Sequence, residues 1–182
     1  MPDNAERIVR RWLQDFVVEL NLCPFASPFL DASNLRITIC DKSQASDLLG
    51  ALLPELDVLQ RCTEHEVATT LIAYPNALPS FADYLQFVDQ AQALLADAGF
   101  DGVVQLASFH PRYQFAGESP DAASHFSNRA PYPLIHLLRE DMVSRALEHF
   151  IDPEQIPNRN IEALNSIGVE LLERRWQALF LY

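Results

Sequence analysis

The chain has 182 residues, 49% apolar and 21% charged, and a formal net charge of -12. That composition excludes wholesale disorder, and the length suits a single domain with a substantial core. No apolar run approaches the roughly 20 residues a membrane-spanning helix needs. An acidic chain without a basic stripe also argues against a nucleic-acid phosphate backbone as partner.

The opening MPDNAERIVRRW is charged and amphipathic, unlike a secretory leader. With an odd number of cysteines, it points to a cytoplasmic protein with reduced thiols. Ile8, Trp12, Phe16 and Leu20 recur four apart and predict a helix over residues 4–21. The next residues, Asn21-Leu22-Cys23-Pro24-Phe25, must leave the helix, because a residue before proline is pushed out of helical conformation. LRITIC at 35–40 reads as a β-branched strand. A leucine-rich helix over 46–61 follows, which Pro54 should kink or split. VATTLIAY at 67–74 is a second strand. Ser80 caps a helix that Gly99 closes, and 102–109 forms a third strand. Pro133 reads as the first position of a further helix with Leu134, Leu137, Leu138 and Met142 facing inward. Asp152-Pro153 and Pro157 start a last helical stretch that breaks at Gly168.

Strands alternating with helices predict a single-domain α/β fold, 1–182, with a small three- to four-stranded sheet built from successive βαβ units. A ferredoxin-like α+β sandwich with a mixed sheet is the alternative. Residues 169–182 read as a C-terminal extension that offers a lid or a homodimer contact.

The segment 108–139 is the one that points to function. It holds three of the five histidines and some twenty residues of irregular chain, and loops of that length are usually functional. It leaves the third strand as His110-Pro111-Arg112, while the other two strands exit at Cys40-Asp41 and Pro75-Asn76. Ligands of open α/β sheets bind outside such carboxyl ends. His110 therefore reads as a catalytic acid or base, with a backbone-bonded structural histidine as the competing reading. Arg112, Tyr113, Asn128, Arg129 and Arg139 read as substrate-binding groups. Twelve of the thirteen basic residues are arginine, whose planar fork suits a small anionic molecule; ordinary ion pairing is the plainer use. His136 and Glu140 would lie one turn apart on the Pro133 helix. His65, His125 and His149 look incidental. Cys23, His110 and His136 are candidate ligands for a metal or haem, although nothing in their spacing demands it. No P-loop, GxGxxG, GxSxG or HExxH motif occurs.

The blocks NLCPF, TLIAYPN, QLASFHPRYQFAG, NRAPYPLIHLLRE and IPNRNIEAL, in that order, resemble a bacterial family defined only as a domain of unknown function. The resemblance runs from about Trp12 to Gly168 and implies a complete single-domain bacterial protein. It supplies no activity, cofactor or catalytic residue. Three functions stay open: an enzyme on a small anionic substrate, a metal or haem protein, and a non-catalytic ligand-binding or interaction module.

Overall fold

A computed structural model describes residues 2–27, 33–148 and 151–181. Its centre is a four-stranded mixed sheet in the order β1-β2-β4-β3, formed by β1 (Leu35–Ile39), β2 (Thr69–Ala73), β3 (Val104–Phe109) and β4 (Leu134–Arg139). β1 and β2 are parallel, while β4 runs antiparallel to both β2 and β3. β1, β2 and β3 thus share one direction, and β2 and β3 frame β4 in a split βαβ arrangement. This is the expected α/β domain, with a mixed sheet.

Helices are α1 (Pro2–Trp12), α2 (Ala45–Gly50), α3 (Leu52–Arg61), α4 (Phe81–Asp97), α5 (Glu140–Glu148), α6 (Ile156–Ile167) and α7 (Val169–Ala178). The predicted helix at 46–61 is indeed split, but at Gly50-Ala51. Pro54 falls in the first turn of α3, where its missing N–H costs nothing. Ser80 caps α4 by accepting the Asp83 N–H, and Gly99, at φ 79°, takes the left-handed turn beyond it. The first helix widens after Trp12 into a π-helical stretch, Leu13–Val18. That form is rare and frequent at functional sites.

The predicted Pro133 helix is wrong: LIHLLR is β4. An inner strand is covered on both faces, so it reads as an apolar run with no alternation and cannot be told from a buried helix by periodicity. Leu134, Ile135 and Leu137 are all fully buried. Pro133 precedes the strand, where proline is tolerated, and its carbonyl accepts the Tyr74 N–H.

Alternation along β4 divides the core. Ile135 and Leu137 join α2, α3 and α4 on one face, with Leu52, Leu56, Tyr84 and Ala91. Leu134 joins α1, the π-stretch, α6 and α7 on the other, with Trp12, Phe16, Leu164, Leu172 and Leu179. The last helix therefore contributes buried side chains to the same core as the first.

Two polar devices hold these layers. Glu55, almost wholly buried, accepts two bonds from the Arg36 guanidinium and one from the Thr38 hydroxyl. The buried Tyr84 hydroxyl donates to the Leu134 carbonyl at 2.6 Å and accepts the Phe109 N–H at 2.9 Å. It bridges the ends of β3 and β4 at a pair of residues in register. Tyr84→Phe leaves both backbone groups without that partner, and should cost about 2 kcal/mol. Urea unfolding should show a lower midpoint at unchanged slope; an unchanged midpoint would mean the bridge contributes nothing.

Candidate functional site

The π-stretch, the turn after it, α5, the start of α6 and the loop between β3 and β4 (110–133) line a cavity of about 1030 Å³ over one face of the sheet, from Leu35 on β1 to Phe109 on β3. Its floor is the sheet itself: Leu71, Phe109, His136 and Leu138 all line it. Leu13, Val17 and Val18 of the π-stretch form one wall, and Met142 and Val143 of α5 another. Phe115, Ser124, Ser127 and Asn128 bring the long loop to it. The loop is therefore part of the enclosure, but the cavity lies on the face of the sheet and extends to both strand ends.

His136 reaches this floor because β4 is a strand. Its ring approaches Thr69 on β2, with Nε2 2.5 Å from the hydroxyl oxygen, and that hydroxyl lies 2.8 Å from the Leu137 carbonyl. A carbonyl only accepts, so the single hydroxyl proton goes to Leu137. The hydroxyl oxygen then accepts from His136 Nε2–H, which fixes the neutral tautomer with a lone pair on Nδ1. Burial pushes this imidazole down to about 4, so it is uncharged near neutrality. Glu140 does not pair with it: four residues of strand put about 13 Å between the two positions.

His110 sits on the opposite face. It is 1% exposed, packed between Phe81 and Tyr84 with ring centroids 5.3 and 5.0 Å away. Nδ1 accepts the Arg112 N–H at 3.0 Å, which leaves Nε2–H to donate to the Leu78 carbonyl at 3.0 Å. The bond holds Leu78 in a left-handed conformation, φ 55°, that leucine rarely adopts. Both ring nitrogens are committed to backbone, the arrangement of a structural histidine.

The other expected binding residues disperse. Arg112 is exposed. Arg129 lies 4.7 Å over the Phe126 ring and donates to the Tyr113 carbonyl. Arg139 caps the carbonyls of Cys62 and Val67 at the far end of β4. Tyr113 packs between Phe81 and Phe115. Asn128 lines the cavity, yet its amide donates to the Ser108 carbonyl and its backbone carbonyl accepts the His110 N–H. It joins loop to strand.

Of the three candidate metal ligands, Cys23 and His136 line the cavity while His110 does not. Cys23 is an exposed residue, and the protein around its thiol raises the pKa more than two backbone N–H groups lower it. Among the described residues no group of three His, Cys, Asp or Glu side chains is placed to hold a metal ion.

Thr69 and His125 carry roles that sequence reasoning missed. Nothing in the sequence separates Thr69 from Thr70 beside it, whose buried hydroxyl has no partner among the described residues. His125 is fully buried; Nδ1 accepts the Phe115 N–H at 3.2 Å and Nε2–H donates to the Ser119 carbonyl at 2.8 Å. It folds the loop onto its 3-10 turn, Ala123–Ser127. His149 lies outside the described residues.

A family model described as "Protein of unknown function (DUF1415)" matches residues 4–174. The chain belongs to the DUF1415 family. No curated protein and no solved structure matches it. The DUF1415 match begins in α1 and ends in α7, so it takes in every wall of the cavity.

The lowered basicity of His136 and His110 has a consequence for stability. The unfolded chain binds their protons near pH 6.5 and the native protein only at lower pH, so stability rises with pH through this window. From pH 6.5 down to about 4 the urea midpoint should fall. His136→Leu should flatten a large part of that fall; a variant as pH-sensitive as the parent would mean His136 keeps an ordinary basicity.

Proposed function

We propose that this protein binds a small, largely apolar molecule in the cavity over the sheet. The observation that carries the reading is the cavity itself, about 1030 Å³ and walled mainly by apolar side chains. Protein interiors are close-packed, and voids beyond a water molecule are few and small. Concave sites of this order, mostly apolar with a handful of polar groups, are what small-molecule sites look like.

The chemistry favours binding over turnover. A general base works best with a pKa near the operating pH. His136, held at about 4, is a hydrogen-bond partner for a guest and a weak proton acceptor. His110, with both nitrogens bonded to backbone, has no free atom to offer a substrate. The arginines that would clamp an anion serve backbone carbonyls or the surface instead. A site using Cys23, His110 and His136 together for a metal or haem would need His110 on the other face of the sheet.

The test uses Nile red, a neutral apolar dye that brightens out of water. The parent protein should bind it saturably, and Leu138→Trp on the floor or Val143→Trp on the α5 wall should weaken binding at least tenfold. Thermal unfolding of each variant checks that the fold survives. Equal dye binding by the parent and both folded variants would overturn the reading.

A further inference from the structure

The polar lining of the cavity says what kind of molecule fits, given that the cavity is a binding site. Most of its polar side chains are already spent. Thr69 serves Leu137 and His136; Ser127 donates to the Ser124 carbonyl or to Asn128. Asn128 holds the Ser108 carbonyl, and Asn160 holds that of Leu22 at 2.8 Å. These groups shape the walls and have little left for a guest.

The exceptions are Gln105, an exposed carboxamide on β3, and His136. Its Nε2–H is used, and its Nδ1 has no partner among the described residues. Nor is it sealed off: the occluded, unpartnered side-chain atoms are Asn34 Oδ1, Thr70 Oγ1, Ser124 Oγ and Trp176 Nε1. Nδ1 is therefore an accessible lone pair on the cavity floor.

Charge narrows the choice further. The charged residues lining the cavity, among those described, are Glu64, Glu118 and Arg145. Arg145 is bonded to Glu64. An anion would meet two carboxylates and a guanidinium already engaged, in surroundings too apolar to solvate it.

We infer that the ligand is uncharged and carries a hydrogen-bond donor, a hydroxyl or N–H, that docks on Nδ1 of His136. The Thr69 hydroxyl acts as a positioning group, because its bond to Nε2–H is what leaves Nδ1 as the acceptor. An amphiphile of the aryl- or alkyl-alcohol kind meets both demands, with its apolar body against Phe109, Phe115 and Leu138.

Three probes with one apolar body separate the possibilities: 2-naphthol, 2-methoxynaphthalene and 2-naphthoate, each displacing Nile red from the parent protein and from His136→Leu at pH 7. One hydrogen bond is worth about 1 kcal/mol, so 2-naphthol should outcompete its methyl ether by roughly fivefold, with 2-naphthoate the weakest. In His136→Leu, the naphthol and its ether should become equal, each read against that variant's own Nile red affinity. Thr69→Val should reduce the preference for 2-naphthol over its ether, each read against that variant's own Nile red affinity. Equal affinities in the parent, tightest binding of 2-naphthoate, or a preference that survives in His136→Leu would overturn the inference. So would dye binding that none of the naphthalenes displaces. Failure of Nile red itself to bind would instead overturn the binding reading on which the inference rests.

Discussion

The placement of β4 decides the rest of the structure. It enters antiparallel between β2 and β3, two strands that run the other way. An inner strand must satisfy two neighbours and two covered faces, so its side chains are apolar in both directions. Only His136 breaks that rule before Arg139 ends the strand. A polar ring buried without a partner costs on the order of 2 kcal/mol or more. Thr69, across the β2–β4 ladder, answers one of its two nitrogens, and the cavity answers to the other.

The same strand explains where this cavity lies. The face that carries Ile135 and Leu137 is filled by α2, α3 and α4. On the face that carries Leu134 and His136, α1, α6 and α7 pack chiefly at β1, β2 and the start of β4. Over the cavity the walls stand off: α5 has no fully buried residue, and the widened π-stretch presents Leu13, Val17 and Val18 to the space. Helix geometry and strand order together leave a hollow that side chains do not fill.

Much of the fold was legible in the residues. A periodicity of four located the first helix, short apolar and β-branched runs located β1, β2 and β3 to within a few residues, and Ser80, Gly99 and Gly168 marked real helix ends. The 108–139 segment, singled out for its length, contributes side chains to the cavity lining. β4 was missed because an apolar run after a proline satisfies helix and buried strand alike, and only the neighbouring strands arbitrate. That one error moved His136 from a helix face beside Glu140 to the cavity floor. His110 was conspicuous as a histidine at a strand exit, yet two backbone bonds use it for shape. The arginines misled for a similar reason. Their forks suit carboxylates, but in this fold Arg129 and Arg139 cap backbone carbonyls, a partner that sequence alone does not display.

The central claim is that an accommodating apolar space lies over β3 and β4. Diffraction from xenon-pressurised crystals tests it directly, because xenon settles in apolar cavities with no chemistry beyond dispersion. Strong xenon density bordered by Leu71, Phe109 and Leu138 is the expected result. A sheet face on which α5 and the loop have closed against those residues, with no xenon between, would contradict the account.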